Sequence, residues 1–235
     1  MTWNEAVRNA LRRFSQRHNT SLITRKGLIE EELESIVKDA DSSGVTPDQT
    51  LSRILQELRD EGILWFTEDG RYLLVEKQIS ITNEELPDDA IDFSLKKGLL
   101  MFKNVETDTI EAKSLIRRGQ NRLRNLTLQN YNSTCCCCDI DQTYFLVASH
   151  ISRWADDIEA RGDLSNTLCL CKIHDPLFEH GYFSFYDDFT IVKKKGVNSM
   201  TIATILDRFT IFKKPLEIMP SVKYLQIHRA RTGLS

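Results

Sequence analysis

Three short stretches decide the fold of the C-terminal part of the chain: Cys135-Cys136-Cys137-Cys138, Ala148-Ser149-His150-Ile151 and Cys171-Lys172-Ile173-His174-Asp175. Cysteines grouped in this way, in a chain whose first residues do not resemble a secretion signal, indicate metal binding more readily than disulfide bonds. Cys135 and Cys138 have CxxC spacing, and Cys171 and His174 have CxxH spacing. Because zinc prefers thiolate and imidazole ligands, these four residues predict a tetrahedral structural zinc site.

Two alternatives to this ligand set stay open. Cys136, Cys137 or Cys169 could replace one of the ligands, since consecutive cysteines make a CxxC pair partly automatic. The cysteines could also be buried free thiols, which are common in cytosolic proteins. Ligand types and spacing favour zinc, whose binding would supply folding energy that a small ββα unit lacks.

A second group of residues suits a hard divalent cation. Asp175 and Glu179 are four residues apart, so in a helix they share one face, and both carboxylates could approach one ion. A neutral histidine beside such an ion can deprotonate water, which makes His150 a candidate general base. A single histidine is more often structural, but the order of cysteines, His, Asn, Cys and His-Asp along the chain favours catalysis.

The composition is that of an ordinary folded protein. The 235 residues are 41% hydrophobic and 28% charged, which excludes a disordered chain. No apolar run approaches the roughly 18 residues that span a bilayer, so we expect a cytoplasmic protein with no membrane partner. The net charge of −3 does not indicate nucleic-acid binding. Nine basic and two acidic residues follow position 188, however, and leave that partner open.

The first 80 residues predict three helices followed by a β-hairpin, which is the order of a winged helix-turn-helix. The third helix begins with Thr46 as N-cap and Pro47 in its first turn. The dipeptide Asp69-Gly70 separates two β-rich runs. An acidic stretch around position 87 marks a boundary. We therefore expect a DNA-reading domain at 1–80, a linker at 81–98 and a second domain at 99–235.

Three blocks of the second domain together resemble the HNH endonucleases. The first is Arg118-Gly119-Gln120-Asn121-Arg122-Leu123-Arg124 with the cysteine run that follows it. Residues 148–155 (ASHISRWA) are similar to the family's A-S-H-I-x-P-W strand. Residues 166–181 (NTLCLCKIHDPLFEHG) are similar to N-G-L-x-L-x-x-x-H-D-x-x-F-D-x-G. Agreement in three separate blocks is more specific than any single motif.

The resemblance implies a ββα-metal fold that cleaves phosphodiesters. His150 would be the general base that activates water. Asn166 would brace the loop and orient that histidine, or lie near the metal. Asp175 would bind a catalytic ion such as Mg²⁺. His174 could bind either ion, and we assign it to zinc, leaving Asp175 and Glu179 for the catalytic ion.

The sequence departs from the family pattern at three positions. Ser149 stands where many HNH enzymes have a metal-binding Asp or His. This leaves the catalytic ion with few protein ligands. Arg153 replaces the usual proline and Thr167 the usual glycine; we expect only local effects on the backbone.

Residues 50–66, continuing to Tyr72, are similar to the winged-helix domain of Dam-replacing, methyladenine-dependent restriction endonucleases. The resemblance implies cleavage that depends on N6-methyladenine, and in such a reader Trp65, Tyr72 or Trp3 could pack on the methylated base. These aromatic residues could instead belong to the domain's own core, and Arg53 could be a solvated surface charge. In a DNA reader the third helix would enter the major groove and present four side chains to base edges: Gln49, Ser52, Arg53 and Gln56.

The sequence as a whole predicts an α+β protein with an N-terminal winged helix-turn-helix domain and a C-terminal zinc-stapled ββα-metal (HNH) nuclease domain. The expected function is a restriction-type endonuclease for double-stranded DNA, acting as a homodimer because two strands must be cut. The basic side chains expected to hold DNA phosphates are Arg117, Arg118, Arg122 and Arg124. The alternatives are a non-enzymatic winged-helix regulator with a structural zinc module and, less favoured, an RNA-directed or nonspecific nuclease.

Overall fold

The computed structural model describes residues 1–75, 79–80, 86–102 and 110–234. The chain divides into two compact units, Met1–Phe93 and Ser94–Ser235. This division falls inside the predicted linker at 81–98, part of which is the helix α4 (Asp88–Lys96) rather than an extended connection. The rest of that linker includes residues 81–85, which lie outside the described residues.

The first unit combines three helices with a small antiparallel sheet. Its elements are, in order, α1 (Trp3–His18), β1 (Leu22–Ile23), α2 (Arg25–Asp39), α3 (Pro47–Asp60), β2 (Leu64–Phe66), β3 (Tyr72–Leu74) and β4 (Ile79–Ser80). In the sheet, β3 lies between β1 and β2. The turn between β2 and β3 contains Gly70, whose φ of 83° suits glycine. Three helices followed by a hairpin are therefore observed, with β1 added between the first two helices.

The helices of this unit bury the apolar faces that their sequences predict. Thr2 begins α1 with a capping box to Glu5. The buried side chains of α1 and α3 are Ala6, Val7, Ala10, Leu11, Phe14, Leu51, Ile54, Leu55 and Leu58. Thr46 and Pro47 occupy the N-cap and the first turn of α3, as predicted. The Thr46 side chain, however, makes no capping hydrogen bond. Its backbone (φ −130°, ψ 65°) is not in the extended conformation that a side-chain cap needs.

The second unit contains the remaining elements. They are β5 (Leu100–Met101), α5 (Ile110–Asn130), β6 (Leu146–His150), β7 (Thr167–Cys171), α6 (His174–Glu179), β8 (Phe183–Phe185), β9 (Ile191–Lys193), α7 (Met200–Arg208) and α8 (Val222–Thr232). Antiparallel β6 and β7 lead directly into α6, which gives a strand–strand–helix arrangement. The pairing sets His150 opposite Thr167 and Leu146 opposite Cys171. The predicted α+β class is confirmed.

Aromatic and thiol side chains form the core beneath this ββα arrangement. All five residues of β7 are buried, and Phe178 of α6 is fully buried. The Phe183 ring contacts the rings of Phe178 and Phe209 at centroid distances of 5.5 and 4.8 Å. Each such ring contributes about 2–3 kcal/mol by its burial. Among the described residues, no helix combines the length and apolar character that crossing a bilayer requires.

Candidate functional site

The four predicted zinc ligands come together in the structure. The ligand atoms of Cys135, Cys138, Cys171 and His174 all lie within 4.8 Å of one another. The Sγ atoms of Cys138 and Cys171 are 3.9 Å apart, and Cys171 Sγ is 3.2 Å from His174 Nδ1. Thiolates about 2.3 Å from a tetrahedral zinc ion are about 3.8 Å from one another. The donor set and its spacing therefore fit one structural metal ion.

The cluster favours a thiolate at Cys135. The backbone N–H groups of Cys137 and Cys171 donate to Cys135 Sγ at 3.5 and 3.3 Å. Hydrogen bonds from Cys137, Cys138 and Cys171 lower the pKa of the Cys135 thiol. Burial lowers the pKa of His174, but its bonds to Cys135 and Cys171 outweigh burial and raise it to about 9.

The alternative cysteines lie outside this group of four. Cys136 and Cys169 are fully buried, and the Cys136 N–H donates to the Cys169 carbonyl at 2.8 Å. Burial raises the pKa of Cys169 to about 12, so its thiol stays protonated and packs as an apolar group. Within the described part of the chain, no other set of three or more His, Cys, Asp or Glu side chains meets in this way.

His150 lies at the last position of β6 and is half-buried. Its Nε2 is 3.2 Å from the carbonyl oxygen of Arg161. Because a carbonyl can only accept, the neutral ring carries its proton on Nε2 and keeps its lone pair on Nδ1. Burial lowers the pKa of His150 below its ordinary value, so the ring is neutral at pH 7. This is the protonation state that a general base needs.

An open pocket of about 270 Å³ borders the His150 ring; its other lining residues are Gln120, Leu123, Arg124, Val147, Ala148 and Trp154. The Trp154 ring meets the His150 ring edge-on at 5.4 Å. Arg161 is buried, donates from Nε to the Trp154 carbonyl at 2.6 Å and lies over the Trp154 ring. Sequence reasoning missed Arg161, because its contact with His150 uses a backbone carbonyl that any residue supplies.

Asn166 holds the segment that follows His150. Its Oδ1 accepts the Ser152 N–H at 2.8 Å, and its Nδ2 donates to the carbonyls of Ser152 and Ala160 at 3.1 and 3.0 Å. The Asn166 carbonyl also accepts the Ile151 N–H at 2.9 Å. A buried amide with both ends bonded fixes this loop beside His150. These contacts support the prediction that Asn166 braces the loop beside His150.

The two predicted ligands of the catalytic ion differ in their surroundings. Asp175 is half-buried in the first turn of α6. Glu179, at the other end of α6, accepts from Arg153 Nε at 2.6 Å and lies 3.5 Å from Arg231 Nη2. These contacts favour ion pairing for Glu179 over the predicted role of metal ligand.

The four arginines of α5 that were predicted to hold phosphates are not equivalent. Arg117 is exposed, whereas Arg118 and Arg122 are half-buried. Arg124 donates from Nη2 to the carbonyls of Thr143 and Leu146 at 2.8 and 2.9 Å. Arg124 thus joins α5 to the start of β6 in addition to lining the His150 pocket.

On α3, in the first unit, Gln49, Arg53 and Gln56 are exposed, as a reading surface requires. Arg53 pairs with Glu57 one turn later. Ser52 is less available, because it donates to the Asp48 carbonyl and accepts from Arg25, both at 2.9 Å.

Trp65 and Tyr72, which were predicted to pack on a methylated base, contact other aromatic rings of the first unit. Trp65 stacks on Phe93 with ring centroids 4.8 Å apart and an interplanar angle of 15°. Tyr72 contacts Phe66, which is 44% exposed and which sequence reasoning missed. Phe66 follows Trp65 in β2, so its side chain lies on the opposite face of the strand. This alternation is the sequence signal that could have identified Phe66. One face of Trp65 is therefore covered by protein.

Comparison with known proteins finds a family match over the ββα segment. Residues 135–186 match the family described as HNH endonuclease. The resemblance drawn from the three sequence blocks is therefore confirmed for this segment. No curated protein matches the chain. A solved structure described as "Modification dependent TagI restriction endonuclease" is similar, with a TM-score of 0.33 and 16% identity over 72% of this chain. The match spans 50% of that protein's chain.

Proposed function

We propose that the chain is a DNA endonuclease that hydrolyses phosphodiesters with His150 as general base. One observation carries the proposal: a neutral imidazole in the segment that matches the HNH family is bonded to the Arg161 carbonyl and borders an open pocket. A purely structural zinc module has no need of this arrangement. The regulator alternative is correspondingly weaker.

In the proposed reaction, His150 Nδ1 accepts a proton from the attacking water, and the Arg161 carbonyl holds Nε2–H throughout. Asn166 keeps the loop beside His150 fixed, so the base needs no rearrangement. Asp175 offers carboxylate oxygens to a divalent ion. Mg²⁺ or a similar ion, when bound, supplies the Lewis acid that stabilises charge on the leaving oxygen.

The four-residue cluster would hold a structural Zn²⁺ in the same unit as this site. Cys135 and Cys138 lie before β6, and Cys171 and His174 connect β7 to α6. A zinc ion there would join the segments on which His150 and Asp175 lie. The thiols are free, which suits the reducing cytoplasm that we propose as the location.

We assign site selection to residues 1–80 as a winged-helix reader. The support is the order of its elements together with the exposed Gln49, Arg53 and Gln56 on α3. Gln pairs well with adenine and Arg with guanine in the major groove. We also propose that cleavage depends on N6-methyladenine. In the same proposal the protein is a type II restriction endonuclease that acts on DNA as a homodimer.

The test incubates the purified protein with Mg²⁺ and plasmid from strains with and without adenine methylation. We expect double-strand cleavage of the methylated plasmid, and none by the His150→Ala variant, which should still bind DNA. Equal cleavage of both plasmids removes methylation dependence but keeps the nuclease. Full cleavage by His150→Ala refutes the mechanism.

A further inference from the structure

The Glu179 carboxylate joins two arginines from separate segments of the second unit. Arg153 lies in the loop after β6 and donates from Nε to Glu179 Oε1 at 2.6 Å. Arg231 lies on α8, donates from Nη1 to the Glu179 carbonyl at 3.1 Å and approaches Oε2 with Nη2 at 3.5 Å. Both carboxylate oxygens of Glu179 thus face guanidinium groups.

From this geometry we infer that Glu179 is a positioning residue for the loop that follows the general base, and not a ligand of the catalytic ion. The inference rests on the proposed nuclease function. A cation at Glu179 would have to approach a carboxylate that two positive charges already neutralise. Asp175, one turn earlier on α6, has no such pair of arginines among the described residues.

Among the described residues, three side chains from outside residues 151–154 hydrogen-bond to this part of the loop, and Glu179 is the third. Asn166 holds Ser152, and Arg161 holds the Trp154 carbonyl. Between them lies Arg153, whose side chain bonds to Glu179 and, within the described part of the chain, to no other residue. Removing this bond leaves the middle of the loop attached only by its backbone.

The attachment also relates the two halves of the proposed site. His150 precedes the loop, whereas Asp175 lies on the same short helix as Glu179. The Arg153–Glu179 pair therefore helps to set the position of the base relative to the carboxylate that would hold the ion. Displacements of about 1 Å can lower a rate by about 100-fold, so a modest loosening is measurable.

The first experiment compares Glu179→Gln with Glu159→Gln, an exposed carboxylate in the same connecting segment. We expect Glu179→Gln to lower kcat about tenfold, with the Mg²⁺ concentration for half-maximal rate and the KM for DNA within twofold of the unaltered protein. Glu159→Gln should change none of these. A tenfold or larger rise in the Mg²⁺ requirement identifies a metal ligand and overturns the inference.

The second experiment measures the pair itself and includes one readout that does not need cleavage. In a cycle of Arg153→Gln, Glu179→Gln and the double variant, the double variant should cleave DNA no more slowly than the slower single variant. Amide hydrogen exchange in residues 151–157 should rise in both single variants and stay unchanged in Glu159→Gln. Unchanged exchange there overturns the inference even if the protein proves not to be a nuclease. If the unaltered protein does not cleave DNA but exchange rises in the two single variants, the nuclease function is rejected and the positioning role of Glu179 is kept.

Discussion

The two sites of the ββα arrangement are built in different ways. The four ligand atoms of the Cys/His cluster already lie within 4.8 Å of one another. Around His150, Nε2–H donates to the Arg161 carbonyl and Asn166 bonds to the loop that follows, but no comparable set of ion ligands meets among the described residues. The difference matches two tasks, because a structural ion is enclosed by protein whereas a catalytic ion leaves positions for water and phosphate.

The largest effect should come from removing the cluster. Zinc bound by such ligands contributes about 10–16 kcal/mol to folding in small domains. Cys171→Ala should therefore lose zinc and melt far below the unaltered protein, as measured by metal analysis and thermal unfolding. Cys169→Ala, equally buried in β7, is the matched control and should keep its zinc and lose only about 1–2 kcal/mol. Equal losses in the two variants would contradict the ligand assignment.

Removing the His150 imidazole should lower the cleavage activity but not the stability of the protein. His150→Ala is expected to lower kcat by about 10²–10⁴-fold, since general-base catalysis contributes that much. Zinc content and melting temperature should change little, because the ring is only half-buried. His180→Ala, an exposed histidine on the same unit, should cleave normally. If His150→Ala also released zinc, the two sites would not be separable.

Acid should lower the stability of the fold by protonating a histidine that belongs to neither site. His228 is fully buried, accepts or donates at Ser184 Oγ at 2.8 Å and stacks on Phe178. Burial lowers its pKa to about 4. The unfolded chain protonates near pH 6.5, so stability is complete above that pH and falls as pH decreases towards 4, by about 3 kcal/mol. Between pH 7 and pH 5 the expected part of this loss is about 2 kcal/mol, which urea unfolding at the two pH values measures.

The control for this pH dependence is the double variant Ser184→Ala/His228→Phe, which has no imidazole to protonate. Its stability should vary less between pH 7 and pH 5. Cleavage by the unaltered protein should decline in acid for a separate reason, as His150 becomes protonated below its lowered pKa. An undiminished pH dependence in the double variant would assign the acid sensitivity to another group.

The smallest effect should concern DNA affinity alone. Arg117 is exposed on α5, so Arg117→Ala should weaken DNA binding uniformly across sequences and reduce the slope of log affinity against log salt by about one. Zinc content and kcat at saturating DNA should stay unchanged. A change in sequence preference would show that Arg117 contacts bases.

The parts that could be predicted from sequence are those in which residue type alone specifies the chemistry. Cysteine and histidine spacing predicted the four residues that converge, and helix and turn signals predicted three helices followed by a hairpin in the first unit. The parts that could not be predicted depend on what a side chain meets across the fold. Glu179 shares a helix with Asp175 as expected, but Arg153 and Arg231 reach it from other segments. Trp65 likewise meets Phe93, which no local pattern indicates.

The pairing of β6 with β7 has a consequence for how this architecture tolerates change. His150 faces its pocket because it stands opposite Thr167, and a slip of one residue would turn the imidazole to the other side of the ribbon. Added residues between the two strands should leave that pairing intact where they spare the bonds of Arg153, Arg161 and Asn166. A single deletion within either strand should instead turn the base away from its pocket.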